Sequence, residues 1–139
     1  MEKYLYTHTV QYYETDKMQI THHSNYIRWM EEARVAFLKD IGWDYARLED
    51  AGIYSPVVSI DCRYRNSTTF ADVVEIYVGV KEFKGIKLVV EYEMKKQDGT
   101  VVCEAVSEHC FMNPEGRPIR VNKDNPEFYE ALIKWENND

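Results

Sequence analysis

The sequence predicts an α+β domain in which an antiparallel sheet wraps round one long central helix. Apolar residues recur at spacings of three and four between Ser24 and Ile41, which is the period of a helix buried on one side. From Tyr54 the period changes to two and persists through three successive runs, as in strands with one buried face. A sheet of this size can curl round a single helix and bury its apolar side.

The long helix, about 24–41, has a predicted beginning and end. Ser24 or Asn25 can accept hydrogen bonds from the N–H groups of the first turn, and Gly42 can adopt the left-handed conformation that stops a helix. The apolar side is broad, as expected for a helix packed on a sheet. It consists of Tyr26, Ile27, Met30, Ala33, Phe37 and Ile41.

Five strands and two further helices complete the prediction. The strands are one before the long helix, at 4–13, and four after it, around 58–64, 74–80, 88–94 and 101–112. Asp98 and Gly99 predict a type I′ hairpin turn before the last strand, because that turn needs positive φ at both positions. Short helices are predicted at 43–52 and at about 124–137.

Length, charge and cysteine content limit the class of protein. A chain of 139 residues fits a single domain, 1–139, with a core at about 4–113 and a C-terminal helix. A net charge of −7 and the absence of any Lys/Arg run argue against a nucleic-acid partner. Cys62, Cys103 and Cys110 show no metal or disulfide spacing and are typical of a reducing cytoplasm. No apolar run is long enough for a membrane span and the N-terminus is polar, so we expect a cytoplasmic protein.

The segment that joins the first strand to the long helix carries the candidate chemistry. It contains Glu14, Asp16 and the tetrad His22-His23-Ser24-Asn25 immediately before the helix. A helix start offers unpaired N–H donors and partial positive charge, which can stabilise a carbonyl oxygen that becomes an oxyanion. With Asp16 close by, the segment predicts a hydrolytic site.

Other interpretations of these residues are weaker. Adjacent histidines such as His22 and His23 do not match metal-ligand spacing, so we predict no metal site. Glu14 shares a face with Asp16 in an extended segment and is predicted to have a structural or pKa-tuning role rather than to be the nucleophile. His8 and His109 lie in strand-like surroundings and are predicted to be structural.

Three motifs resemble one known family. Residues 12–16 (YYETD), 22–26 (HHSNY) and 31–34 (EEAR) resemble the hotdog-fold acyl-CoA thioesterases of the 4-hydroxybenzoyl-CoA thioesterase type, and the resemblance extends loosely over residues 7–112. It implies that Asp16 is the catalytic carboxylate and that the backbone N–H of His23 polarises the thioester carbonyl. Asn25 matches the asparagine of the family, whereas Gln19 stands where many relatives have glycine.

The resemblance implies an acyl-CoA thioesterase in which Asp16 acts as nucleophile or as general base. His22, Ser24, Asn25 and Tyr26 are expected to line the substrate site. No cofactor is expected, since coenzyme A is part of the substrate. The alternatives are a non-catalytic acyl-thioester binding module and an acyl-carrier-protein thioesterase. A dehydratase on this fold is disfavoured, because such enzymes need a histidine paired with an acid in an order that this sequence does not show.

Partners follow from the same reasoning. A sheet round one helix leaves exposed edge strands, and paired subunits are implied by the resemblance, so we expect a homodimer, or two such dimers in a homotetramer. In an acidic chain the phosphates of coenzyme A need local basic side chains, for which the candidates are Arg63, Arg65, Lys84 and Lys87.

Overall fold

The computed structural model describes residues 3–136. The strands are β1 (Tyr4–Thr9), β2 (Val57–Tyr64), β3 (Val73–Phe83), β4 (Leu88–Lys96) and β5 (Val101–His109), and the helices are α1 (Ser24–Asp40), α2 (Tyr45–Asp50), α3 (Val121–Asp124) and α4 (Pro126–Ile133). The strands form one sheet in the order β1-β3-β4-β5-β2, with every neighbouring pair antiparallel. The predicted α+β class and antiparallel sheet are confirmed.

Helix α1 is the centre of the core. Trp29, Met30, Ala33 and Phe37 are almost completely buried and pack against a sheet face on which alternate residues of β3 are also buried. The prediction that Ile27 belongs to the buried side is wrong, since Ile27 is exposed while Trp29, two residues on, is not. At about 100° per residue, Trp29 continues the stripe of Tyr26 and Ala33, whereas Ile27 lies beside it.

Several element boundaries differ from the prediction: the helix predicted at 43–52 is α2 (Tyr45–Asp50), β3 extends to Phe83, and α3 was not predicted. Three other differences have local causes or shorten an element. Strand β1 ends at Thr9 rather than at residue 13, because residues Tyr12–Glu14 form one turn of 3-10 helix in which the Glu14 side chain accepts from Gln11 N–H. Strand β5 ends at His109 rather than at Met112. The predicted C-terminal helix is shorter, Pro126–Ile133, with Asn125 capping its start; residue 137 lies outside the described residues.

The hairpin between β4 and β5 exists, but its turn is not type I′. Only Gly99 has positive φ, and Asp98 does not. Gly99 N–H donates to the Lys96 carbonyl and Lys96 N–H donates to the Thr100 carbonyl, which leaves a three-residue loop with Gly99 in the left-handed position. This is the longer alternative for an Asp-Gly hairpin.

Strand β2 lies at one edge of the sheet and was predicted to bury one face. In the single chain it does not, because Val57, Val58, Ile60 and Tyr64 are all exposed. Helix α1 packs mainly on β1 and β3. It also reaches β2, where the Met30 and Cys62 sulfur atoms are in contact. No strand of the described chain pairs with the outer edge of β2.

Two further expectations concern where the protein is found in the cell and whether it spans a membrane. Cys62, Cys103 and Cys110 are free thiols, and the cytoplasmic location expected from them stays a prediction. Within residues 3–136, no helix is both long and apolar enough to cross a membrane.

Candidate active site

The segment between β1 and α1 is anchored by the buried side chain of Glu14, which is only 4% exposed. One carboxylate oxygen accepts from Gln11 N–H at 2.8 Å and lies 2.9 Å from His8 Nε2. The other accepts from the indole Nε1–H of Trp29 at 2.8 Å. Burial alone would raise the pKa of Glu14, but the hydrogen bonds from Gln11, His8 and Trp29 outweigh it and hold the pKa below its ordinary value. Glu14 is therefore an ionised anchor that ties this segment to β1 and α1.

The backbone of Glu14 holds the start of the helix. Its carbonyl accepts from His22 N–H at 2.9 Å and from the Asn25 side-chain amide at 3.1 Å. Asn25 is buried and also donates to the His22 carbonyl. The expectation that Ser24 or Asn25 caps α1 by accepting hydrogen bonds is wrong. The cap residue is His23, and Asn25 instead braces the segment as a donor.

Asp16 lies in a tight loop between two hydrogen-bonded arms. Thr15 pairs with Thr21, Asp16 N–H donates to the Ile20 carbonyl at 2.9 Å, and Gln19 N–H donates back to the Asp16 carbonyl. Gln19 has φ of 67°, so it keeps the left-handed conformation for which glycine is favoured. Although this residue is glutamine, its backbone still has the left-handed conformation that a glycine would adopt.

The Asp16 carboxylate is half-buried and lightly bonded. Its Oδ1 accepts from Met18 N–H at 2.8 Å, which fixes the side chain. Its Oδ2 accepts no hydrogen bond from any residue that the structure describes. One oxygen is thus held while the other is available to a ligand or a water molecule.

The two histidines before α1 are exposed and stacked, with ring centroids 4.4 Å apart. His22 Nδ1 accepts from Ser24 N–H and lies 2.9 Å from its hydroxyl oxygen, so His22 and Ser24 organise each other. The backbone N–H of His23 has no acceptor in the described part of the chain. It is one of the free donors that every helix start presents.

A surface cavity of about 410 Å³ opens beside this helix start. Its lining includes His23, Tyr26, Tyr64 and Arg65. Tyr26 is fixed by a 3.1 Å hydrogen bond to Thr68 and packs on Tyr64 at 5.4 Å between centroids. Burial, with the nearby Cys62 thiol, raises the pKa of Tyr64 to about 12. The cavity thus presents neutral aromatic walls.

The structure gathers only part of the predicted site in one place. His23 and Tyr26 line the cavity, whereas Asp16, His22, Ser24 and Asn25 are not among its lining residues. Asp16 is nevertheless close to the segment that leads into His23, because two backbone hydrogen bonds join the segments. His22 N–H donates to the Glu14 carbonyl, and Asp16 N–H donates to the Ile20 carbonyl. The predicted residues therefore form one loop-to-helix unit, with Asn25 inside it as a support.

Comparison with known proteins decides the family. Residues 10–135 match the model of the thioesterase-like superfamily. The chain belongs to this superfamily. It is 33% identical over 126 residues to YneP of Bacillus subtilis, whose name assigns it provisionally to the acyl-CoA thioesterases, covering 90% of this chain and 91% of YneP.

Solved structures agree with this membership. The DHNA-CoA thioesterase of Staphylococcus aureus superposes with a TM-score of 0.89 at 29% identity, covering 96% of this chain and 91% of that one. The BH1999 gentisyl-coenzyme A thioesterase superposes with a TM-score of 0.79 at 27% identity, covering 87% of this chain and 98% of that one. The hotdog fold and the expectation of a thioester hydrolase are thereby confirmed for this member of the thioesterase-like superfamily.

Several residues that build this thioesterase-like site were not predicted from the sequence. Trp29 could have been suspected, because it follows Asn25 by about one helical turn and so lies on the same side of α1. Thr68 could not, since it reaches the site from the loop between β2 and β3 through bonds to Thr21 and Tyr26. His8 was predicted to be structural, and its ring nitrogens lie 2.9 Å from Glu14 and Glu32.

The basic residues considered for phosphate contacts all have acidic neighbours. The pairs are Arg63–Asp61, Arg65–Glu104, Lys84–Glu82 and Lys87–Glu108, with separations of 3.0, 2.8, 3.7 and 3.4 Å. Such exposed pairs are weak and can be exchanged for a phosphate. Across residues 3–136, no cluster of three or more His, Cys, Asp or Glu side chains has the arrangement of a metal site.

Proposed function

We propose that this protein hydrolyses acyl-CoA thioesters to a carboxylic acid and free coenzyme A, with Asp16 as nucleophile or general base and the N–H of His23 as oxyanion donor. The observation that carries the proposal is the free N–H of His23 at the start of α1, beside the loop that bears Asp16. A preorganised donor at a helix start acts where negative charge develops in acyl transfer.

Asp16 can act by either of two routes. As a nucleophile, its free carboxylate oxygen attacks the thioester carbon, the C–S bond breaks, and water then cleaves the resulting anhydride. As a general base, it takes a proton from a water molecule whose oxygen attacks the same carbon. In both routes the carbonyl oxygen becomes negative against His23 N–H. The thiolate is a good leaving group, so the chemistry calls for no metal or redox cofactor.

The cavity beside His23 is the proposed place for the reacting end of the substrate. Tyr26 and Tyr64 offer apolar surface to the thioester and its neighbouring carbon atoms, and His22 and Ser24 shape the entrance to the helix start. Arg65 lines the same cavity, and its exposed pairing with Glu104 can give way to a phosphate of coenzyme A.

The assembly proposed for this enzyme is a homodimer in which the outer edges of two β2 strands pair. Tyr64, at the C-terminal end of β2, lies at the proposed substrate cavity. An antiparallel β2 of a second copy would bring its own N-terminal end to this cavity, so each site would lie at a subunit boundary. The outer backbone edge of β2, which no strand of the described chain pairs with, would then be hydrogen-bonded. Sedimentation equilibrium distinguishes monomer, dimer and a tetramer of two dimers, and a fully active monomer would contradict this arrangement.

The decisive test is release of free thiol from a panel of aliphatic and aromatic acyl-CoAs. Asp16→Asn keeps the size of the side chain and removes its charge, so we expect the rate to fall about 10²–10⁴-fold. Asp50→Asn, at an exposed position on α2, is the matched control and should keep the wild-type rate. Near-normal turnover by Asp16→Asn would contradict the role assigned to Asp16.

The same assay separates the alternatives. A binding module would retain acyl-CoA without releasing thiol even as wild type. An acyl-carrier-protein thioesterase would release the same acyl group faster from a carrier protein than from coenzyme A. Because the fold alone does not determine function, these two measurements are needed beside the variant.

A further inference from the structure

The ring of His8, on β1, lies between two carboxylates from different parts of the chain. Its Nε2 is 2.9 Å from Oε1 of Glu14 in the 3-10 turn, and its Nδ1 is 2.9 Å from Oε2 of Glu32 on α1. The imidazole is only 10% exposed and packs on the indole of Trp29, with ring centroids 4.6 Å apart. His8 therefore joins the turn that carries Glu14 to the middle of the long helix.

The two contacts determine which ring nitrogens of His8 carry protons. Ionised carboxylates only accept hydrogen bonds, whereas a neutral imidazole has one donor nitrogen and one acceptor nitrogen. A neutral ring would therefore turn a lone pair towards one of the two carboxylates, across only 2.9 Å. Both contacts are favourable when both nitrogens donate. His8 is thus a positively charged link between Glu14 and Glu32, and we call these three residues the histidine bridge.

Glu32 is the acceptor that keeps the second proton on His8. Its side chain is 41% exposed, so water solvates the carboxylate and favours its ionised form. The oxygen that contacts His8 also accepts from the hydroxyl of Tyr6 at 3.1 Å. Burial and the charge of Glu32 raise the pKa of Tyr6, so this phenol keeps its proton and donates. Glu32 therefore holds Nδ1–H of His8 and leaves Nε2–H directed at Glu14.

Glu14 connects the histidine bridge to both parts of the hydrolytic loop. Its carboxylate accepts from His8, and its backbone carbonyl accepts from His22 N–H at 2.9 Å. Asp16 follows Glu14 by only two residues. A change at Glu32 can therefore reach the loop through two hydrogen bonds, the first to His8 and the second to Glu14.

The histidine bridge lies on the side of α1 that faces β1. Strands β1 and β2 are at opposite ends of the sheet order, so His8 is remote from the outer edge of β2, where the subunit boundary is proposed. Glu32 is on the same side, because its contacts are with Tyr6 and His8 of β1. The bridge is complete within one chain.

We propose that Glu32 is a positioning residue that acts on the hydrolytic loop through His8. Glu32 orients the ring of His8, and the ring in turn fixes Glu14. The distance between the Asp16 carboxylate and the N–H of His23 is thereby held. This role rests on the function proposed above, and it gives Glu32 no contact with the substrate. A displacement of about 1 Å in a reacting group can cost about 10²-fold in rate.

Thiol release from an acyl-CoA measures the role of Glu32. Glu32→Ala removes the acceptor of His8 at a half-exposed position, so the fold should persist while kcat falls about 10- to 100-fold and KM changes by less than about threefold. Glu32→Gln keeps an oxygen acceptor for Nδ1–H and should retain more of kcat than Glu32→Ala. Wild-type kcat in Glu32→Ala would overturn the proposal.

Tyr6→Phe is the matched control. It removes the other described partner of Glu32 and leaves the contact with His8 intact, so kcat should stay within about twofold of wild type. Equal losses in Tyr6→Phe and Glu32→Ala would show that Glu32 does not act through His8.

A double-mutant cycle tests the route through His8. His8→Gln breaks the histidine bridge at its centre, so adding Glu32→Ala to His8→Gln should lower kcat by less than about a further twofold. Losses that multiply would refute this route. Circular dichroism shows whether His8→Gln is folded, and if it is not, the NMR measurement below decides.

NMR spectroscopy of the whole protein tests the histidine bridge without any enzyme reaction. Nitrogen-15 shifts at neutral pH should show protons on both ring nitrogens of His8. Glu32→Ala should shift the backbone amide signals of Asp16 and His22, whereas Tyr6→Phe should leave them in place. A ring with one proton, or unchanged loop signals in Glu32→Ala, would contradict the bridge. If the wild type releases no thiol, the proposed hydrolysis fails, and these signals decide the bridge separately.

Discussion

Glu14→Gln tests the anchor that holds the loop of Asp16. A glutamine can keep one oxygen towards Gln11 N–H and His8, but it then presents an NH₂ group to the indole N–H of Trp29. One buried donor thus loses its acceptor, at about 1–3 kcal/mol, and the retained hydrogen bonds lose their charge assistance. We expect the free energy of unfolding at pH 7 to fall by about 2–4 kcal/mol.

The loss should depend on pH in a defined direction. The pKa of Glu14 is lower in the folded protein than its ordinary value of 4.5. The ionised side chain therefore stabilises the folded protein at pH values above 4.5. That stability disappears as the pH falls through the lowered pKa, because the unfolded chain takes up the proton first. The difference between wild type and Glu14→Gln should therefore be full at pH 7 and should shrink below pH 4.5.

Urea unfolding followed by tryptophan fluorescence measures both effects, at equal protein concentration because self-association would add to stability. Glu115→Gln is the control, since the Glu115 side chain is exposed and should change stability by less than about 0.5 kcal/mol. A Glu14→Gln variant as stable as this control would refute the anchor. A deficit that stays constant from pH 7 to below pH 4 would refute the assignment of the charge to Glu14.

Three further predictions concern the backbone and the sheet edge. Gln19→Gly should raise the free energy of unfolding by up to about 1 kcal/mol, because φ of 67° strains a residue with a Cβ. Thermal unfolding measures this gain, thiol release should change little, and a loss of stability would contradict the prediction. Gly85→Ala should cost more than Gly116→Ala in urea unfolding, since both have positive φ but only at Gly85 would a Cβ collide with Asn122; equal losses would show that the collision is relieved without cost. Ile60→Lys should shift sedimentation equilibrium towards the monomer, because it places a charge on the exposed edge strand, and an unchanged assembly would move the interface away from β2.

Much of the fold could be predicted because the spacing of apolar residues along the chain indicates which segments form helices and which form strands. The residues that alternate in β3 and those that recur along α1 each create one apolar face, and burying both faces together leaves few arrangements of so short a chain. The candidate site was predictable for a similar reason. Asp16 and His23 are close in sequence, and the helix that follows them supplies the free N–H donors by its own geometry.

The misplaced boundaries arise where distant contacts override local preference. The tyrosine-rich segment after Thr9 favours a strand, yet the chain turns because Glu14 finds donors on His8 and Trp29. The alternation in β2 predicts a buried face, yet its position at the sheet edge leaves that face uncovered in one chain. A residue's own pattern does not state which strand becomes the edge.

The amino-acid sequence by itself determined the long helix, the antiparallel strands that follow it, and the motif that carries Asp16. Only the tertiary structure decided that Glu14 is buried and ionised, that Thr68 supports Tyr26, and that the buried Arg34 donates to the Tyr92 hydroxyl. The physical reason is that periodicity depends on neighbours a few residues away. Hydrogen bonds, burial and charge balance depend on which distant segments meet, and these are settled only when the whole chain packs.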